Sequence, residues 1–365
     1  MPFISLTLFR YIARRFLLWL LGILTLLVAI IVLAETIELL RRAGGREDMS
    51  FGLILQMALL KTPGTAQIVL PFAVLAAGMG AYWQLTRFHE LVVARAAGVS
   101  VWQFLLPAVA VILVVAVLRV VAFDPVASAM SGRFEGLEAN YLGGGRLVTA
   151  SVNGLWLRQV TDDRQSVIHA ERLRPESLAL ERVMVLDFAL DDRLLERIDA
   201  DAAYLEEGRW RLANAWITLP NRSGSVFEET HLRPANLSFA EIVESFASPA
   251  AVSFWRLPRY IELLDATGLP TVAHRLRYHR LLATPLLLAA MVVMAAAFSL
   301  RPTRRGGVTL LIATGALTGF LLYFLSDVVH ALGLSGTIPV ALAAWTPGGI
   351  VGMIGVTLLL HLEDG

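Results

Sequence analysis

Six long stretches without a charged residue most constrain what this chain can fold into. They are mostly apolar and cover 16–34, 62–86, 96–118, 281–300, 306–326 and a last run within 331–360. A helix needs about 20 such residues to cross the hydrocarbon core of a bilayer. The first run has no small-residue cleavage site before Glu35, so we expect it to be retained rather than removed as a signal peptide. The sequence therefore predicts a membrane protein with six transmembrane helices.

The arginines in the short connections predict which side of the membrane each end faces. If the N-terminus is cytoplasmic, the basic residues before the first run, in the 87–95 loop and after residue 300 all face the cytoplasm, as the positive-inside rule requires. They include Arg10, Arg14, Arg15, Arg301, Arg304 and Arg305. Both termini would then be cytoplasmic. The long insert at 124–270 would lie outside, because long domains cross largely regardless of charge.

The insert has the pattern of an all-β domain. Short runs such as "RLVTASV", "RVMVLDFAL" and "RWRLANAWITL" alternate with turn signals, among them Asn153-Gly154, which is typical of a type I′ hairpin turn. These features predict a β-sandwich or jelly roll, although the order of its strands cannot be read from the sequence. Residues 254–264 predict a helix that leads back to the membrane. We therefore expect transmembrane helices 1–3 in 1–123, a β domain in 124–270 and transmembrane helices 4–6 in 271–365.

Several classes of function are disfavoured by composition and spacing. The chain has no cysteine, which excludes disulfides and cysteine-ligated metals, and its net charge of +1 argues against nucleic acid as a partner. Its one lysine, Lys61, lacks the glycines of a phosphate-binding loop, so we expect this chain to bind no ATP itself. Ser326 and His330 lie four residues apart and could be a nucleophile and its base, but polar pairs at a helix end are seldom catalytic, so we expect no catalytic site there. His274 and His279 lack a nearby carboxylate, so we expect no metal site.

Ionisable residues cluster at the ends of the apolar runs rather than deep inside them. These residues are Glu35, Glu38, Lys61, Arg119, Asp124 and Asp327. Transporters driven by an ion gradient usually carry such residues within their transmembrane helices. If this chain is a transporter, we therefore expect it to take its energy from another protein rather than from an ion gradient.

The segment "RFHELVVARAAG" at 87–98 is where such a protein could attach. On a helix, Leu91, Val92 and Ala96 would cover part of one side, while Arg87, Glu90 and Arg95 would project from others. One interpretation is an ordinary helix lying at the membrane surface, with its charged ends in water. The other is a helix that docks on a cytoplasmic partner.

The segment "ELVVARAAGVS" resembles the coupling-helix motif of the LptF/LptG family of lipopolysaccharide export permeases. The resemblance continues in "RYIARRFL", "ELLRRAG", "VLPFAVLAAGMG", "YLEEGRWRL" and "YFLSDVVHALG", so it runs across nearly the whole chain. It implies an inner-membrane ABC transporter in which LptF and LptG form a heterodimer of six-span permeases. A homodimer of the ATPase LptB, which binds the ATP and Mg²⁺, would lie beneath. The outer jelly rolls would connect with LptC, and lipopolysaccharide would pass to a periplasmic β bridge.

The resemblance also implies site residues. Contact with the ATPase would come from Arg87, Glu90, Leu91, Val92, Ala94, Arg95, Ala97 and Gly98. Lipid A phosphates would meet Arg41 and Arg42, although both also fit a solvated loop, and Glu35 stands where some relatives have lysine. Acyl chains would contact Leu24, Leu27, Ile31, Phe320, Phe324 and Val328, as lipid could on any membrane helix. Three alternatives stay open: the sister permease, a lipid transporter without an ATPase, and a membrane anchor that displays a β interaction module.

Overall fold

The computed structural model divides the chain into two compact units. The membrane unit contains 1–135 and 275–365, and the β unit contains 136–274. The structure describes residues 5–44, 49–142, 148–151, 154–160, 164–174, 179–189, 193–206, 209–220, 224–234, 248–266, 270–300 and 307–363.

Long helices dominate the membrane unit. The helices before the sheet are α1 (Leu6–Ala43), α2 (Phe51–Arg87), α3 (Glu90–Ala96), α4 (Val101–Leu118) and α5 (Asp124–Tyr141). A π-helical turn, Arg119–Phe123, joins α4 to α5 without a break. After the sheet come α6 (Leu257–Ala266), which belongs to the β unit, and then α7 (Val272–Ser299), α8 (Gly307–Leu334) and α9 (Val340–Glu363) of the membrane unit. Six of the helical segments are long and apolar enough to cross a membrane, which confirms the predicted number.

Serine side chains define where three of these helices begin. The hydroxyl of Ser5 accepts a hydrogen bond from the Leu8 amide, and the hydroxyl of Ser50 accepts one from Leu53. Before α4, Ser100 and Gln103 form a reciprocal capping box. Such caps satisfy amides that would otherwise lack a partner at a helix start.

The third transmembrane helix extends further than the sequence indicated. The predicted β domain begins at Asp124, whereas the helix continues through this residue to Tyr141, and the compact units divide between Glu135 and Gly136. The second boundary lies between His274 and Arg275 rather than at 270/271. Asp124 lies within this continuous helix, its side chain is fully buried, and its carboxylate accepts a hydrogen bond from Arg277 at 2.9 Å.

Small residues hold the helices of the membrane unit together. A Cβ atom added to Gly78 of α2 would lie 2.6 Å from the Cβ of Ala295 on α7. Ala73, Ala77 and Ala296 are completely buried in the same cluster. Close approach of backbones through Gly and Ala is typical of packing in membranes, where apolar burial alone gives helices little reason to associate.

The β unit contains one antiparallel sheet. Its described strands are β1 (Val148–Ser151), β2 (Gly154–Val160), β3 (Arg164–Arg174), β4 (Ala179–Ala189), β5 (Leu194–Glu206), β6 (Arg209–Thr218) and β7 (Ser225–Pro234). Each strand pairs with the next one along the chain, so the sheet order is β1 to β7. The all-β prediction for the insert is thereby confirmed. The described strands form a meander, however, rather than the Greek-key order of a two-sheet jelly roll.

One face of this sheet carries its hydrophobic core. Alternate residues of the central strands, such as Val183 and Val185 on β4, point into a buried cluster with Ile198 and Leu212. The predicted returning helix is α6, and its Leu264 packs against that cluster. In the predicted hairpin, Gly154 is the first residue of β2 and pairs with Ser151, while Asn153 lies outside the described residues.

Candidate functional site

The short helix α3 lies at one end of the membrane unit, between α2 and α4. His89 before it has a left-handed φ of 58°, and Gly98 after it has a φ of 84°. A Cβ at Gly98 would meet nothing within 4 Å, so glycine suits this position for its backbone angle rather than for space. Leu91 is buried in the main core of the unit, and Ala94 packs against it. These contacts fix α3 against the transmembrane helices.

Glu90 is bound by the first helix of the same chain. The Arg15 guanidinium donates from Nη1 to both carboxylate oxygens of Glu90, at 3.0 and 3.1 Å. The Tyr11 hydroxyl donates to Glu90 Oε1 at 3.0 Å. The Glu90 side chain remains 33% exposed. The carboxylate expected to contact an ATPase is therefore already held by α1, with part of its surface still accessible.

The exposed surface of α3 is small and mostly apolar. Val93 is 69% exposed, and Arg95, Ala96, Ala97 and Gly98 are also exposed. Arg87, at the end of α2, is exposed with its guanidinium 5.1 Å from the centre of the Trp83 ring. The side chain of Val92 lies outside the described part of the chain. The site predicted from the sequence is thus partly assembled, but Leu91 faces inward and Val93, which was not predicted, faces outward.

A cavity of about 700 Å³ opens between α1, α2 and α8. Its walls are almost entirely apolar, and they combine aromatic rings with small residues. They are formed by Trp19, Phe72, Leu75, Ala76, Met79, Gly80, Trp83, Ile312, Gly315, Ala316, Gly319, Phe320 and Tyr323. Ligand pockets in proteins span about 300–1,000 Å³, so this cavity has the volume and the lining for hydrocarbon chains.

Only one of the predicted acyl-chain residues lines this cavity. Phe320 does so, whereas Phe324 and Val328 are exposed elsewhere on α8. Ile31 is buried within the unit, and Leu24 and Leu27 are half-buried against its core. These three α1 residues are spaced by three and four, so they share the face that packs inside the chain. The structure therefore does not bring the six predicted residues together in one wall.

The two arginines at the opposite end of α1 are exposed and share one carboxylate. Arg41 donates from Nε and Nη2 to Glu38 at 2.9 and 2.8 Å, and Arg42 donates from Nε at 2.9 Å. The Glu35 carboxylate lies 2.7 Å from the Lys61 ammonium of α2 and accepts a hydrogen bond from Thr65. Two positive charges thus surround Glu38, and the negative charge of Glu35 is balanced from the neighbouring helix.

A second set of arginines lies inside the membrane unit. Arg119, in the π-helical turn, donates to Thr284 at 2.9 Å and to Gln67 at 3.1 Å. Arg277 donates to Asp124 and to Ser128. His330 lies 3.5 Å from a nitrogen of Arg280 and makes no hydrogen bond with Ser326 among the described residues, so the two lack the geometry of a nucleophile and its base.

Residues 10–361 of the chain match the family model described as lipopolysaccharide export system permease LptF/LptG. The chain belongs to this family. It is 25% identical over 362 residues to the lipopolysaccharide export system permease protein LptG of Escherichia coli (strain K12), covering 96% of this chain and 97% of that protein. It is 24% identical over 355 residues to the LptG protein of Haemophilus influenzae, covering 93% of this chain and 94% of that protein.

Family membership defines the general role of the chain. LptF/LptG proteins are permease components of lipopolysaccharide export rather than catalytic enzymes, and this chain is accordingly a multi-pass inner-membrane protein.

Sequence reasoning missed Arg15, Tyr11 and the α2 side of the cavity. A signal for the first two was present in "RYIARRF", where a tyrosine and an arginine lie one helical turn apart, but their partner Glu90 is distant in sequence.

Proposed function

We propose that this permease is the LptG-type subunit of its transporter and pairs with LptF. In this proposal, an LptB homodimer binds α3 and hydrolyses ATP, and LptC meets the β unit. The full-length similarity to the two LptG proteins and the motifs quoted above favour LptG over LptF. Both termini and α3 would lie in the cytoplasm, and the β unit would lie in the periplasm.

The observation that carries this proposal is that the apolar cavity and the surface helix α3 belong to the same helix bundle, with Leu91 of α3 buried in its core. An acyl chain that enters the cavity gains free energy in proportion to the apolar area it removes from water, at about 25 cal/mol per Å². The small exposed residues of α3 let another protein approach closely. Movement of a bound ATPase would then act on helices that form the cavity.

Co-purification tests the partners. The intact chain, expressed together with the proposed partner subunits and extracted in mild detergent, should retain a soluble ATPase and a second six-span permease. Val93→Asp should release the ATPase, because it places a charge on the most exposed apolar residue of α3. Val226→Asp is a matched control, because Val226 is an exposed valine on the β unit. A lipid transporter without an ATPase, or a β-domain anchor, would retain no ATPase in either form.

Lipopolysaccharide binding by Arg41 and Arg42 can be tested with variants that should weaken it and with one that should strengthen it. Arg41→Ala with Arg42→Ala should weaken lipopolysaccharide binding several-fold in the purified complex, because two phosphate donors are removed. Glu38→Gln should strengthen binding, because the phosphate no longer competes with Glu38 for the same guanidinium groups. Unchanged affinity in both variants would assign these residues to a solvated helix end.

Orientation can be measured directly because the chain has no cysteine. Cysteines introduced singly at Val93 and at Arg222 should react with a membrane-impermeant reagent from opposite sides of the inner membrane. Residue 93 should be accessible only from the cytoplasm, and residue 222 only from the periplasm. Labelling of residue 93 from the periplasm would contradict the proposed orientation.

A further inference from the structure

Three side chains on α1 form a line from α3 to the cavity. Tyr11, Arg15 and Trp19 are each four residues apart, so they lie on one face of the helix in successive turns. The first two bind Glu90, and the third lines the cavity. The line therefore touches the surface helix at one end and the apolar cavity at the other.

The α3 end of the line is more than a surface ion pair. Glu90 accepts hydrogen bonds from two different α1 residues, and Arg15 binds both of its carboxylate oxygens. The Arg15 guanidinium also lies 5.0 Å from the centre of the Tyr11 ring. Its side chain is only 21% exposed. Several charge-assisted bonds to one carboxylate hold a fixed geometry better than a single contact does.

The cavity end of the line is held equally closely. Trp19 donates from its indole nitrogen to Gln84 of α2 at 2.9 Å. Its ring packs on Gly80, where an added Cβ would lie only 2.6 Å from a ring carbon. Trp19 therefore cannot shift relative to α2 without changing the wall of the cavity.

We propose that Arg15 is a positioning residue that transmits movement of α3 along α1 to Trp19 and so changes the shape of the cavity. This inference rests on the proposed function, in which an ATPase moves α3. When the first residue of α3 is displaced, Arg15 and Tyr11 follow it because three hydrogen bonds join them. Trp19 lies one turn further along the same rigid helix and moves with them against Gly80.

The chain offers a matched control for Arg15. Arg14 is the adjacent residue on α1 and carries the same charge, but it is exposed and makes no hydrogen bond or ion pair among the described residues. Arg15→Gln removes the charged link, whereas Arg14→Gln removes the same charge from a neighbouring position. Arg15→Lys keeps the charge but loses the donor pattern of guanidinium, so its effect should be intermediate.

The experiment measures coupling in the assembled transporter in nanodiscs. In complexes that retain the ATPase, Arg15→Gln should lower the amount of lipopolysaccharide moved per ATP hydrolysed about tenfold. Arg14→Gln should match the parent. A melting temperature equal to that of the parent separates this result from simple loss of stability.

A spectroscopic readout follows the cavity itself. An environment-sensitive dye on Ile312→Cys reports from the cavity wall, and its emission should change when ATP is added to the parent complex. That change should disappear with Arg15→Gln and persist with Arg14→Gln. If Arg15→Gln transports as efficiently as the parent and keeps the emission change, Arg15 has no positioning role. If the parent binds no ATPase at all, the proposed function fails, and this inference fails with it.

Discussion

Among the residues that the structure describes, the membrane unit and the β unit each bury one aspartate completely, and they compensate its charge in different ways. Asp124 of the membrane unit accepts a hydrogen bond from Arg277 at 2.9 Å. Asp187 of the β unit is bound by Arg233, which also lies 2.8 Å from Glu196. Arg164 lies 3.7 Å from Asp187 and 3.8 Å from Glu196. The membrane unit places Arg277 on its aspartate with Arg119 nearby, whereas the β unit places a second acid, Glu196, beside its aspartate and shares two arginines between the two acids in one network.

The difference follows from where each acid meets its neighbours. Asp124 lies on a helix, and its partner Arg277 comes from another helix. In the sheet, Asp187 and Glu196 lie opposite each other on β4 and β5, which forces two acids together. Burial, together with the nearby Asp187, raises the pKa of the Glu196 carboxyl, and the charges of Arg233 and Arg164 oppose that rise. The network therefore depends strongly on its arginines.

The largest effect should come from removing the central arginine of the network. Arg233→Ala leaves Asp187 buried beside Glu196 without its nearest cation, which should destabilise the β unit by about 3–5 kcal/mol. Hydrogen exchange of the β4 to β7 amides in the intact protein measures this loss. Arg209→Ala, on an exposed position of the same sheet, is the control. If these amides are equally protected from exchange in both variants, Arg233 does not stabilise the buried Asp187, and the contrast between the two aspartates fails.

A smaller effect should follow the matching change in the membrane unit. Arg277→Ala removes the hydrogen bond to Asp124, but Arg119 still lies close enough to interact with this carboxylate. We expect a loss of about 1.5–3 kcal/mol, the range for hydrogen bonds to charged groups. Thermal unfolding in detergent gives the value, and Arg275→Ala, on an exposed neighbouring residue, gives the baseline. A loss greater than that of Arg233→Ala would show that Asp124 depends more on its arginine than the two acids of the β unit do.

The smallest effect concerns an exposed pair and appears only as a change with pH. The Arg211 guanidinium holds the pKa of Glu206 below its ordinary value, mainly through hydrogen bonds. Because the folded pKa is the lower one, the pair stabilises the fold above the unfolded pKa, and this contribution is lost as the pH falls through the folded pKa. Arg211→Gln should therefore differ slightly from the parent at pH 7 and match it at pH 2. Denaturation at both pH values, repeated in high salt, tests this, since salt should also remove the difference.

The sequence predicted the elements that depend on local pattern. Six apolar runs gave six membrane helices, and alternating residues such as those of "RVMVLDFAL" gave strands. It did not predict that the third helix continues through Asp124, because a charged residue here indicates the end of an apolar run, and its buried contact with the distant Arg277 cannot be read from the sequence. The strand order was also beyond reach, since alternation indicates which face of a strand is buried but not which neighbour it pairs with.

The candidate site was predictable to a similar extent. Glu90 and Leu91 were identified from a motif, and the structure places both on α3. Their opposite orientations depend on packing, because Leu91 enters the core while Glu90 meets Arg15. Phe320 was the only predicted wall residue at the cavity, because the choice of helix face requires knowledge of which helices are neighbours. The roles of the predicted ATPase and lipid contacts stay predictions.

The nearest-neighbour order of the sheet also determines how the β unit can fold while the chain is being synthesised. A chain that emerges gradually during synthesis can form only contacts among the residues already delivered. In this sheet every strand needs just the one before it, so each hairpin can form as soon as its second strand arrives. A Greek-key order would leave early strands waiting, with exposed edges, for partners that arrive much later. The β unit can therefore assemble in step with its own delivery, before the last three membrane helices have been made.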